Sequence, residues 1–188
     1  MNLRFLMSEG AIAASDSPDG HGMELLSRST RVAMLCAPPG DYFPNSMERC
    51  VCISGSETDV ITFLWNLSVR IPELSASLTL VLPNPCVSII IGQGGSTIKS
   101  LSQASGARIK VEERLPGVKD RLVRVSGPSP EVIFKGIRCM LDRVHSDPSL
   151  SMGSDVSYRD QYRMDPVIYQ QYLQNYWASV LQSGQNQS

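Results

Sequence analysis

Two apolar periods follow one another along this chain, and their order recurs. Leu78–Leu82 (LTLVL) is a short β-rich run closed by Pro83, which predicts a strand. Ser96–Ser105 carries Ile98 and Leu101 at helical spacing and stops at Gly106, predicting a short helix. Ala107–Val111 and Arg121–Ser126 alternate as strands do. From Pro130 to His145, Val132, Ile133, Ile137, Met140, Leu141 and Val144 form one helical stripe, the mark of a core-facing helix. Ahead of the 96–105 helix, "IIIGQGG" (89–95) runs a short apolar stretch into a turn with three glycines. Each glycine weakens helical order by about 1 kcal/mol, so bare backbone must serve a purpose there.

The same layout occurs twice. Residues 3–36 lie over 78–111 at a constant offset of 75, and "ERCVCISGSETDVI" (48–61) matches "DRLVRVSGPSPEVI" (120–133) at offset 72. The second pair shares R-x-V-x-[IV]-S-G and a later [DE]-V-I, and the first copy has three extra residues in the loop before that strand. Each copy predicts strand, helix, turn, helix, strand, variable loop, strand, helix. That order, βααββα, implies an α+β fold with a three-stranded sheet covered on one face by three helices. The expected boundaries are one copy over 1–71, a linker "PELSAS" over 72–77 spanning at most about 20 Å, and the second copy over 78–145. The short linker predicts that the copies pack together.

Composition narrows the function classes. The 188 residues are 42% hydrophobic and 19% charged, a globular balance, and no apolar run approaches the roughly 20 residues of a membrane span. An odd set of five cysteines without a CxxC pair argues against a disulfide framework and for a reducing compartment, with Cys50 and Cys52 facing a core. The only histidines, His21 and His145, lack an acid–nucleophile partner or metal-ligand spacing, so no enzyme, metal or cofactor is expected. G-x-G-x-x-G fails because Thr97 stands where its last glycine belongs, and no phosphate-loop G-x-x-x-x-G-K-[ST] occurs. The net charge of −1 hides an asymmetry: residues 78–145 hold ten bases and five acids, whereas residues 1–71 hold five bases and eight acids. A polyanion would favour the second copy.

The βααββα layout, I-G-x-G-G-S-T-I-K, G-A-R-I-K-V and the later [DE]-R-x-V-x-[IV]-S-G together resemble a type I KH domain. The pattern is similar to the tandem KH proteins of the poly(C)-binding and Nova-like group, including plant relatives. "DYFPNSMERCVCISGS" (41–56) resembles that group's acidic–aromatic–proline loop. The resemblance covers 3–71 and 78–145 and implies two tandem KH folds binding single-stranded RNA, or single-stranded DNA, with pyrimidine-rich strands preferred. It implies a role in mRNA processing, stability or translation, in the nucleus or cytoplasm. In such a domain the turn clamps the nucleic-acid backbone while about four nucleotides lie in a narrow apolar groove.

The residues implied are Gly92, Gln93, Gly94, Gly95 and Ser96 at the turn, Ile89, Ile91 and Ile98 on one wall, Arg108 and Arg121 reading bases, and Lys99 and Lys110 attracting phosphate. Gln93 departs from the family, which usually has Lys or Arg inside this turn. Members usually carry three copies, so two suggest a shortened or divergent relative.

The first copy is expected to have lost the site. Its turn reads Ser17-Pro18-Asp19-Gly20, Asp16 adds a further charge, and Lys99, Arg108 and Lys110 are matched by Glu24, Ala33 and Leu35; only Arg49 keeps the base of Arg121. That copy would serve as packing partner or protein-interaction surface. Residues 146–164 read as linker within a flexible tail, 146–188. Asp165 and Pro166 open an expected amphipathic helix over 166–182, with Tyr169, Tyr172, Leu173, Tyr176, Trp177 and Val180 on its stripe. This stripe suits protein contact or self-association better than base stacking, lacking basic company beyond Arg163. The alternative to an RNA-binding regulator is a protein-interaction scaffold that keeps an inherited glycine turn.

Overall fold

The protein is described from a computed structural model over residues 1–15, 22–147, 149–154 and 156–158. The first half runs β1 (Asn2–Ser8), α1 (Glu9–Ser15), α2 (Gly22–Ser29), β2 (Ala33–Cys36), β3 (Glu48–Ser54) and α3 (Glu57–Arg70). After α4 (Pro72–Ala76) the second half repeats that order as β4 (Ser77–Pro83), α5 (Asn84–Ile91), α6 (Ser96–Ser105), β5 (Arg108–Val111), β6 (Asp120–Ser126) and α7 (Pro130–His145). The result is a mixed α+β protein with an antiparallel sheet and seven α-helices among the described residues.

Local chemistry sets the helix ends. Ser56 caps α3, its hydroxyl oxygen accepting the Asp59 N–H at 3.1 Å. Pro130 occupies the first turn of α7, where a missing N–H costs nothing, while Glu131 near its start and Arg143 near its end complement the helix dipole. Gly106 stops α6 in the left-handed region.

The expectation of a three-stranded sheet in each half needs one correction. Strand order is β2-β3-β1-β4-β6-β5, so two three-stranded sets join edge to edge into one six-stranded sheet, with Phe5 opposite Leu80 at the seam. Pairing removes an exposed edge from each half. The helices lie on one face, where Leu3, Phe5, Met7, Leu78, Leu80, Leu82, Ile133, Ile137 and Met140 are buried in one core shared by both halves.

The expected linker is also corrected. Pro72–Ala76 forms a short helix because Pro72 suits a first-turn position and Leu74 is buried on its inner side. A third correction concerns the described residues between 150 and 158, which fall within the expected linker 146–164. Met152, Val156 and Tyr158 are buried, and the last two belong to a second apolar cluster with Leu6, Phe43, Cys50, Cys52, Val81 and Val118 on the face away from the helices. Each such side chain contributes about 1.5–3 kcal/mol from burial before the cost of ordering it. Cys50 and Cys52 are free thiols facing this second cluster, and burial pushes the Cys50 thiol up to about 12. The expected helix over 166–182 lies outside the described residues. No described helix is long and apolar enough to cross a membrane.

Candidate nucleic-acid interface

The glycine turn is built from α5 upward. Gly92 ends that helix with its N–H donating to the Ser88 carbonyl at 3.0 Å, and its backbone then turns to φ 69°, ψ −179°. A Cβ at Gly92 would sit 2.0 Å from Thr97 Oγ1 and 2.6 Å from Thr97 Cβ, so a side chain there would collide with the first turn of α6. Gln93–Gly95 then make one 3₁₀ turn, closed by Gly95 N–H to the Gly92 carbonyl at 3.3 Å. Gly94 (φ 58°) and Gly95 (φ 76°) are both left-handed.

Gly94 differs from Gly92 in what surrounds it. A Cβ added there would meet nothing within 4 Å. Chain packing therefore accounts for Gly92 beyond its φ, whereas at Gly94 the backbone simply lies bare and exposed. Gly95 is the N-cap of α6 and supplies no side-chain oxygen, so no side chain caps the first-turn amides. Exposed Gln93, Gly94 and Ser96 flank this positive helix end, an arrangement suited to an anion.

The apolar residues lie on the two flanking helices. Ile89 and Ile91 on α5 and Ile98 on α6 are half-buried, while Ile90 points fully into the core. Ile91 and Ile98 rest on the main core and keep part of their surface exposed. Lys99 follows on α6, exposed.

The basic residues separate into two kinds. On β5 the burial pattern puts Arg108 and Lys110 on the exposed side and Ile109 on the core side. Lys110 Nζ lies 2.8 Å from Glu112 Oε2, and Arg124, across the strand pair from Lys110, brings its Nε to 4.0 Å from Glu112 Oε1. Half-buried Arg121 donates from Nε to the Glu112 carbonyl at 2.7 Å. Glu112 thus restrains Lys110 through its side chain and Arg121 through its backbone, while Lys99 and Arg108 stand exposed. Glu112 was not among the site residues drawn from sequence, although the acidic pair set between Lys110 and Arg114 in "KVEER" carried a signal for it.

The equivalent surface of the first half is chemically different. Exposed Glu24 holds Arg28 at 2.6 Å, and Ala33 and Leu35 replace the exposed cations of β5, with Leu35 56% exposed. Arg49 is buried, its Nε donating to the Ala37 carbonyl at 2.6 Å and its NH1 lying 3.1 Å from Glu9. The turn at Ser17–Gly20 lies outside the described residues. No group of three or more His, Cys, Asp or Glu among the described residues is placed to hold a metal ion.

Comparison with known proteins agrees with this geometry. The KH domain family model matches residues 77–142. The human RNA-binding protein Nova-2 is 23% identical over 181 residues, covering 83% of this chain and 37% of Nova-2. The Drosophila melanogaster RNA-binding protein Pasilla is 21% identical over 179 residues, covering 85% of this chain and 23% of Pasilla. The chain thus spans well under half of the curated relatives it matches, and its resemblance to the Nova-like group is supported. Among solved structures, the first KH type I domain of human vigilin aligns at 20% identity with a TM-score of 0.34, covering 43% of this chain and 83% of that domain.

Proposed function

We propose that this protein binds single-stranded RNA through residues 78–145 and acts in post-transcriptional regulation of mRNA. The observation that carries the reading is the turn Gly92–Gly95. Its bare Gly94 has no neighbour within 4 Å of a would-be Cβ, and it leads straight into the uncapped start of α6. A sugar–phosphate backbone lies against Gln93–Ser96, with bases over Ile89, Ile91 and Ile98. Arg108 and Arg121 present planar donors to base edges, and Lys99 and Lys110 add phosphate attraction. Pyrimidine-rich strands are the preferred ligands, with single-stranded DNA as a competitor, in the nucleus or cytoplasm. The similarities to Nova-2 and Pasilla, both RNA-binding proteins by name, support the RNA-binding part of the reading.

Residues 1–71 serve as a second, degenerate KH copy that does not clamp nucleic acid. Exposed large hydrophobics favour protein contact for this half. Leu25, Leu35, Met47, Trp65 and Val69 all lie within it, whereas none of those described lies in residues 78–145.

The test uses the full chain with Gln93 and Gly94 both changed to Asp. Fluorescence anisotropy with a labelled pyrimidine-rich oligonucleotide should show roughly micromolar binding by the unmodified chain, about −8 kcal/mol, and none by the variant. The variant should still melt in one cooperative transition, lowered by only about 2–8 °C for the side chain at left-handed Gly94. Equal binding by both would remove the turn from the interface.

A further inference from the structure

Residues 149–154 and 156–158 lead from the main core, where Leu150 and Met152 pack, to the sheet face opposite the helices, and end in a buried polar cluster shared with Arg4, Asp41 and Asp120. Tyr158 is 2% exposed; its hydroxyl donates to Asp120 Oδ2 at 2.8 Å and lies 3.3 Å from Arg4 NH1. Arg4, from β1 of the first half, forms a two-pronged pair with Asp120 of β6 at 2.6 and 3.0 Å. The Tyr158 N–H donates to Asp41 Oδ1 at 3.1 Å, and Ser157 Oγ lies 2.6 Å from Asp41 Oδ2. The Tyr158 ring meets Phe43 edge-on, with centroids 4.9 Å apart. Upstream, Ser151 accepts from the Cys86 thiol at 3.8 Å, and Met152 is buried in the main core. Burial pushes the Tyr158 phenol above its ordinary range, so it stays a hydrogen donor to Asp120.

Asp120 closes the variable loop between β5 and β6, immediately before Arg121. Val118 and Leu115 of the same loop pack into the outer cluster beside Tyr158. Arg121 in turn is tied to Glu112 at the start of that loop. From this we infer that Tyr158, with Asp41 and Arg4, positions the 112–121 loop of the RNA-binding half, so that affinity for a single strand depends on a C-terminal strap that does not itself touch the strand. The inference rests on the RNA-binding reading above. It gives the first half a task in binding: Arg4 and Asp41 anchor the strap and the loop, and no groove in that half is needed.

The test is Tyr158→Phe in the full chain, which keeps the ring on Phe43 and removes only the hydroxyl. Two hydrogen bonds in a buried network are lost, so affinity for the pyrimidine-rich oligonucleotide should fall roughly three- to tenfold. Amide hydrogen exchange should quicken over residues 112–121 while α6 exchanges as before. Asp41→Asn, which weakens the other anchor, should move the same two readouts in the same direction. Unchanged affinity in Tyr158→Phe overturns the inference even if the loop loosens, and unchanged loop exchange overturns it even if affinity falls. Absence of oligonucleotide binding by the unmodified chain is a different failure, because it sinks the RNA-binding reading and takes this inference with it.

Discussion

Replacing Gly92 by Ala and, separately, Gly94 by Ala should distinguish a glycine required by the fold from one that leaves room for a ligand. At Gly92 the backbone sits at φ 69°, ψ −179°, a region almost restricted to glycine, and holding another residue there costs about 1–3 kcal/mol. The new Cβ would also lie 2.6 Å from Thr97 Cβ, which no rotamer change can move away. That overlap adds about 1–3 kcal/mol, for a total of about 2–6 kcal/mol. At Gly94 the left-handed φ of 58° costs about 1–2 kcal/mol, and no overlap adds to it because the space is open. Urea denaturation followed by far-ultraviolet circular dichroism measures both, with slopes compared to confirm a common unfolded state. For a protein of this size each kcal/mol moves the melting temperature by about 2–4 °C. Adding Thr97→Ala to Gly92→Ala should recover part of the loss, since Oγ1 goes but Cβ stays. Equal midpoints for Gly92→Ala and Gly94→Ala would refute the steric reasoning, and with it the claim that the two glycines have different duties.

Three other outcomes follow from the same geometry. Asp120→Ala removes the two-pronged carboxylate partner of buried Arg4 and should cost about 3–5 kcal/mol, the range for breaking a buried pair, read from the urea midpoint of the full chain. Ser56→Ala removes the α3 cap and should cost about 1 kcal/mol. The Ser56 hydroxyl, then Arg31, hold the Asp59 carboxyl below the ordinary carboxylate range; its contribution is present above the unfolded-state pKa and lost as pH falls through the folded one. The variant should therefore titrate Asp59 at higher pH by NMR and show a flatter acid limb of stability. Lys99→Ala should weaken oligonucleotide binding and lower the slope of log affinity against log salt by about 0.7, whereas an unchanged slope would place Lys99 away from the strand.

Regular elements were legible in the sequence where local pattern governs them. Ser96–Ser105 and Pro130–His145 carry their own stop and start residues, Gly106 and Pro130, and the helices have those bounds. Repeat matching also located the order of elements along each half. The joining of the halves was not legible, because an edge-to-edge seam at Phe5 and Leu80 leaves no trace in either strand's own alternation. Arg4 within "NLRFLMS" reads as an ordinary outward-facing residue; its partner Asp120 lies 116 positions away. Residues 150–158 lack periodicity for a physical reason. Met152 enters the main core while Val156 and Tyr158 enter the outer cluster, one side chain at a time, and the described residues of this stretch form no helix or strand. At the site, the positions of the glycines and isoleucines followed from the motif. The pinning of Arg121 and Lys110 by Glu112 depended on how β5 and β6 pair, which charge counting does not reveal.

Amide chemical-shift mapping of the full chain, titrated with a short pyrimidine-rich oligonucleotide, tests most directly whether the strand's backbone rests on the bare turn. The largest shifts should fall at Gln93, Gly94, Gly95 and Ser96, with further shifts at Ile98 and Arg108 and none at Glu24 or Leu35. Silence at residues 93–96, with shifts gathered on the first half instead, would contradict it.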